Sequence, residues 1–190
     1  MFIQTEETPN PATMKFLPGR GVNENGSSDF TAIEDAEKHS PLAFRLFNIG
    51  GIEGVFLGTD FISVTKSDSK EWHVLKPSIL GAIMEHFTAG LPVLNENEPI
   101  KSTSKTAENA VEDLEIVGQI KELIETRVRP AVAMDGGDIV FDSFDDGIVY
   151  LQMQGACAGC PSSTATLKNG IENMLKHYIP EVVEVRAVGF

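Results

Sequence analysis

The sequence is poor in basic side chains: 15 Lys and Arg stand against 28 Asp and Glu in 190 residues, a formal net charge of −13. A polyanion needs a basic face, and none is visible, so nucleic acid is excluded as a ligand. Long hydrophobic runs are also missing. The apolar stretches are a few residues long, far short of the ~20 a membrane helix requires. The opening Met1-Phe2-Ile3-Gln4-Thr5-Glu6-Glu7 lacks the basic n-region of a secretory signal and the Arg-rich, acid-poor character of a transit peptide. The expectation is a soluble cytosolic protein or an already processed organellar one. No grouping of serine, histidine and aspartate suggests hydrolysis. Glycines 50, 51, 54 and 58 do not form a phosphate-binding spacing followed by a helix. Turnover catalysis is therefore not expected. The single tryptophan, Trp72, reads as a core residue.

Cysteine is the scarcest informative residue. There are two, Cys157 and Cys160, in one Cys-x-x-Cys. A secreted scaffold would spread its cysteines to close loops, and a bridge across so short a loop would stabilise little. In a reducing compartment such a pair is a metal or cluster ligand, or a redox dithiol.

What is present divides the chain in two. Residues 95–110 hold almost no large apolar side chain and no periodicity, as a solvated linker does. Domains are expected at 1–94 and 111–190. They carry 12 acids with 7 bases and 13 acids with 6 bases, so the negative charge is not a tail. The fold class is α+β, two small domains.

In the first domain Ile52–Leu57 and Phe61–Lys66 read as strands joined by Gly58-Thr59-Asp60. Ser40-Pro41 starts a helix, and Lys76-Pro77 opens another that Gly90 and Pro92 stop. The second domain reads α-β-β-α-β, two helices and a three-stranded mixed sheet. Ile116, Val117, Ile120, Leu123, Ile124 and Val128 line a helix ending near Arg129-Pro130. Asp135-Gly136-Gly137-Asp138 is a turn or strand entry, and Ile139–Asp145 and Ile148–Gln154 are strands. Asp146-Gly147 between them suits a tight hairpin, whose two central residues need positive φ. Leu167, Ile171, Met174, Leu175 and Tyr178 share a helix face, and Val183 and Val185 alternate with Glu184 and Arg186 in a last strand.

The loop Gly155-Ala156-Cys157-Ala158-Gly159-Cys160-Pro161-Ser162-Ser163 places both cysteines just ahead of a helix that Pro161 starts. A helix N-terminus favours thiolate over thiol. Clusters and tetrahedral zinc want about four protein ligands, and this chain offers two. His177 lies at the far end of the following helix, and His39, His73 and His86 have no paired spacing. Two chains, each supplying Cys157 and Cys160, are the simplest route to four sulfurs, with the metal group on a two-fold axis. Such an exposed site can hand its cargo on. Zinc would satisfy the same thiolates. A redox dithiol fits less well, because Pro161 puts Cys160 before the helix rather than inside it. Asp135 and Asp138 read as turn residues rather than ligands of a hard cation.

Three stretches, Met134-Asp135-Gly136-Gly137-Asp138, the cysteine loop itself and Thr166-Leu167-Lys168-Asn169-Gly170-Ile171-Glu172, closely resemble the NifU C-terminal (Nfu) domain. Phe2-Ile3-Gln4-Thr5, Thr8-Pro9-Asn10-Pro11, Lys15-Phe16-Leu17-Pro18-Gly19 and Val55–Thr65 resemble the Nfu N-terminal domain. The resemblance implies an iron–sulfur scaffold in which Cys157 and Cys160 of each of two chains hold a 4Fe–4S cluster. Its partners would be a second copy, upstream cluster assembly proteins and the apo-proteins that receive the cluster. The first domain would recognise partners or targets. The compartment implied is a bacterial cytoplasm first and, second, the mitochondrial matrix for a processed form.

Overall fold

The computed structural model describes residues 2–24, 26–95, 111–158 and 161–188, without the side chains of 111–114 and 161–164. The chain forms two compact units, Met1–Lys101 and Ser102–Phe190. The architecture is α+β in both. The linker expected at 95–110 lies outside the described residues except for Asn95. That residue is tied to the first unit: its N–H donates to the His39 carbonyl at 2.8 Å and its side-chain amide to the Lys38 carbonyl at 2.7 Å.

The first unit is a five-stranded antiparallel sheet with three helices. The strands are β1 (Gln4–Glu7), β2 (Thr13–Leu17), β3 (Ser28–Phe30), β4 (Ile52–Leu57) and β5 (Ile62–Lys66), in the order β1-β2-β5-β4-β3. The helices are α1 (Ile33–His39), α2 (Pro41–Phe47) and α3 (Trp72–Thr88). Alternation puts Met14, Phe16, Val55, Leu57, Ile62 and Val64 into one core with Leu42, Leu46, Ile79 and Ile83 from the helices. The β4–β5 hairpin and the start of α2 agree with expectation. Ser40 caps α2 by accepting the Ala43 N–H at 3.0 Å, and Pro41 follows at the first helical position. Helix α3 begins at Trp72, earlier than the expected Lys76-Pro77, with Pro77 inside it. Pro77 is only one turn beyond the start, so it forfeits a single bond to the His73 carbonyl. Trp72 anchors that first turn by donating its indole N–H to the Pro11 carbonyl at 3.0 Å, and it packs on the core.

The second unit is α4 (Val111–Leu123), a π-helical turn (Ile124–Val128), α5 (Arg129–Met134), β6 (Gly137–Asp145), β7 (Ile148–Gly155), α6 (Pro161–Tyr178) and β8 (Glu184–Val188). Strands β6 and β7 pair antiparallel and β7 and β8 parallel, the mixed sheet that was expected. Asp146 at φ 46° and Gly147 at φ 78° make the tight hairpin. A Cβ on Gly147 would stand 2.8 Å from Val183 Cγ2 and 2.9 Å from the Glu181 carbonyl oxygen, so glycine is required there twice over.

Three expectations need correction. The first helix does not end near Arg129-Pro130. Proline cannot donate, and in an α-helix its ring would strike the Thr126 carbonyl. The chain widens by one residue instead, the Arg129 N–H reaches the Ile124 carbonyl, and helix resumes to Met134. Tyr178 is half-exposed rather than on the packed face; Ile179 and Val182, beyond the helix, are buried in its place. The strand β8 starts at Glu184, and Val183 is exposed because its N–H bonds the Gly147 carbonyl at 2.7 Å, outside the ladder.

Candidate functional site

The site is built on the turn between α5 and β6 and on the end of β7. Helix α5 closes with the Asp135 N–H on the Val132 carbonyl at 3.0 Å and the Gly136 N–H on the Ala133 carbonyl at 3.1 Å. Gly136 then takes φ 81°, a left-handed conformation that glycine adopts without penalty. Its carbonyl accepts the Ala156 N–H at 3.2 Å, which ties this turn to the cysteine loop.

Gly137 is needed for a different reason. It pairs with Gly155 at the start of the β6–β7 ladder. A Cβ placed on it would lie 2.5 Å from Cys157 Sγ, 2.7 Å from the Gln154 carbonyl oxygen and 3.0 Å from the Cys157 nitrogen. The bare backbone of Gly137 is the floor on which the Cys157 sulfur rests.

Cys157 is a reduced thiol, 6% exposed, packed into the core of the second unit with Ile139, Leu151 and Met153. Burial pushes the thiol up to about 12, and the carboxylates of Asp135 and Asp138 add to the shift. For Cys157 this runs against the preference for thiolate expected from the helix N-terminus. Helix α6 starts four residues later, at Pro161, and burial outweighs its dipole. Cys160, the other expected ligand, lies outside the described residues.

Asp138 is nearly enclosed, at 5% exposure, and its charge is matched. Arg129 grips it with two parallel bonds, Nε to Oδ1 at 2.8 Å and Nη2 to Oδ2 at 2.7 Å. Nη1 of the same guanidinium reaches both oxygens of Glu125, at 2.7 and 2.8 Å. Asp138 Oδ1 also accepts the Ile139 N–H at 2.8 Å. Held between two carboxylates, Arg129 has its proton affinity raised further, chiefly by the bonds to Asp138. Sequence reading took Asp138 as a turn residue and gave Arg129 no role. The partners are nine positions apart across helix α5 and the turn that ends it, a separation with no periodic signal.

Glu172, in the third resembling stretch, has a structural task. Its Oε1 pairs with Lys176 at 2.6 Å and its Oε2 accepts the Val185 N–H at 3.1 Å, which holds its carboxyl below the usual range. In this way α6 satisfies a donor on the outer edge of β8, where no strand follows.

Among the described residues no group of three or more His, Cys, Asp and Glu is placed to hold a metal ion. A single chain thus presents one described thiol, floored by glycine and flanked by a carboxylate paired with Arg129. In donor chemistry the site fits a thiolate-bound inorganic group, provided that the sulfur turns out of the core. The first unit has a separate surface cleft of about 450 Å³ lined by Phe2, Pro18, Gly19, Arg20, Phe87 and Thr88. None of these residues belongs to the cysteine site.

Comparison with known proteins bears on both units. Residues 3–90 match the family described as "Scaffold protein Nfu/NifU N terminal" and residues 120–186 the "NifU-like domain". A human protein, "NFU1 iron-sulfur cluster scaffold homolog, mitochondrial", is 50% identical over 189 residues, 99% of this chain and 72% of its own length. The chain belongs to the Nfu/NifU family. A Drosophila sechellia protein of the same name is also 50% identical, with 65% of its length covered. "NifU-like protein 4, mitochondrial" of Arabidopsis thaliana is 50% identical over 184 residues, with 64% of its length covered. The chain therefore spans roughly two thirds of these family members. A solution structure of a NifU-like protein from Saccharomyces cerevisiae matches half of this chain and 85% of its own, with 27% identity and a TM-score of 0.46. The relatives' names speak for the second compartment expected from the sequence, the mitochondrion, and not for the first, a bacterial cytoplasm.

Proposed function

We propose that this Nfu-family chain is an iron–sulfur scaffold and carrier of mitochondria that holds a 4Fe–4S cluster between two copies of itself. Each copy supplies Cys157 and Cys160, and the cluster is cargo for apo-proteins rather than the centre of a turnover reaction. The observation that carries this reading is the half-complete donor set. The sequence has two cysteines, and no other group of ligands gathers among the described residues. Four-thiolate ligation then needs a second chain.

The residues described above give the binding step its form. In the metal-free chain the Cys157 proton stays on Sγ, because burial and two carboxylates oppose ionisation. Ligation removes that proton to solvent and swings the sulfur away from Gly137. Release to a recipient is ligand exchange: an incoming thiolate replaces each departing cysteine, with no change in total charge.

Anaerobic reconstitution of the full chain should give a brown dimer with about four irons per two chains. Cys160→Ser should lose the colour and the dimer together. A monomer that keeps its whole iron complement without added thiol, or a dimer that takes only zinc, would overturn the reading.

A further inference from the structure

We infer that Arg129 is a positioning residue for the cysteine site, acting through Asp138 on the glycine floor beneath Cys157. This rests on the scaffold reading above, since it concerns how the same site holds its cargo. The connection runs from Glu125 through Arg129 and Asp138 to the two glycines. Glu125 holds Nη1 of Arg129, which leaves Nε and Nη2 aimed at Asp138 as a fork. Asp138 is thereby fixed between Arg129 and the Ile139 N–H. Gly137, its neighbour, lies so close beneath the loop that a Cβ on it would stand 2.5 Å from Cys157 Sγ and 2.7 Å from the Gln154 carbonyl oxygen. Gly136 holds the other side of the loop through the Ala156 N–H.

The π turn makes this possible. It absorbs Pro130 without ending the helix, so that Arg129 stays on an ordered backbone opposite the start of β6. Thr126 Oγ1 donates to the Glu122 carbonyl at 2.6 Å, one turn back along the helix.

Arg129 serves two separable ends. Its planar fork sets the position of Asp138, which an ammonium cannot reproduce. Its charge offsets part of that of Asp138 beside the sulfur. A cluster bound by four thiolates carries net negative charge, and an unmatched carboxylate next to it would disfavour both its retention and its reduction. The two ends respond differently to substitution.

The test uses the full chain, reconstituted anaerobically, with two readouts: the half-life of the cluster against an iron chelator and its midpoint potential. Hydrogen exchange at the Ile139 and Ala156 amides of the metal-free chain adds a third. Arg129→Lys keeps the charge and loses the fork; it should shorten the half-life about tenfold and leave the potential in place. Arg129→Gln should shorten it at least as much, speed exchange at both amides, and move the potential to more negative values. Removing both charges in Arg129→Gln/Asp138→Asn should return the potential toward wild type. Arg127→Gln, two positions away and resting on the Tyr178 ring, should change none of these.

A wild-type half-life in Arg129→Lys, or a wild-type potential in Arg129→Gln, overturns the inference. Should Arg129→Gln fail to fold, Arg129→Lys and the exposed Glu125→Gln decide it, the latter by a smaller loss of half-life in the same direction. Failure of the scaffold reading is distinct, because it shows in the wild-type chain alone, as no cluster uptake, as zinc only, or as a full cluster held by a monomer.

Discussion

Replacing Gly137 by alanine probes the floor of the site with one methyl group. Its new Cβ would come within 2.5 Å of Cys157 Sγ, 2.7 Å of the Gln154 oxygen and 3.0 Å of the Cys157 nitrogen. The sulfur could rotate away. The other two atoms are backbone of β7 and of the loop, on a strand paired on both sides, so the backbone must shift. Overpacking of this kind costs about 1–3 kcal/mol. Gly170, on an exposed face of α6, has nothing within 4 Å of the equivalent position. There alanine should stabilise by about 0.5–1 kcal/mol through helix propensity. The two substitutions add the same atom to the same unit and should move stability in opposite directions. Native-state hydrogen exchange of the slowest β6 and β7 amides, measured in the full metal-free chain, reads the second unit selectively. Gly137→Ala should speed those amides about 5–150-fold, and Gly170→Ala should slow them. Equal rates in Gly137→Ala and wild type would refute the claim that Gly137 is kept bare by the cysteine loop.

Other outcomes follow from the first unit. Ser40 is fully buried, caps α2 through Ala43, and donates to the Val93 carbonyl at 2.6 Å. Ser40→Ala should cost about 1–2 kcal/mol, read as a lower urea midpoint by fluorescence of Trp72, the only tryptophan. His86 is buried with its Nδ1 unpartnered and its Nε2 on the Pro92 carbonyl at 3.1 Å. Burial lowers its pKa, with Arg45 acting in the same direction. The unfolded chain thus takes up a proton near pH 6.5 that the folded chain refuses. The His86 contribution is complete above that pH and is lost as pH falls toward the folded value. The urea midpoint should fall between pH 7.5 and 5.5 more steeply in wild type than in His86→Gln, and parallel profiles would refute this.

Both the fold class and the cysteine pair were legible because their signals are local. The Asp146-Gly147 hairpin, the Ser40-Pro41 cap and the helical spacing of Ile120, Ile124 and Val128 each sit within a few residues and answer to backbone geometry alone. Strands β1, β2 and β3 and helix α1 were not read. The strands have three to five residues, and α1 has seven residues with only Ala36 buried, so sheet and core contacts rather than local pattern hold them. The same limit applies to the corrections. Tyr178 has the spacing of a core residue, yet the chain bends so that Ile179 and Val182 fill the core instead.

The amino-acid sequence alone determined that a chain with two thiols has half a coordination sphere, since counting donors needs no coordinates. It also set where turns must fall, because positive φ and missing N–H groups are properties of single residues. Only tertiary structure decided the state of the thiol and the role of its surroundings. Whether Cys157 is ionised depends on burial and on carboxylates from a distant segment. How strongly Asp138 repels that sulfur depends on a guanidinium nine residues away, on the helix that leads into β6. Desolvation and charge pairing act through space, so they exist only after the chain has folded.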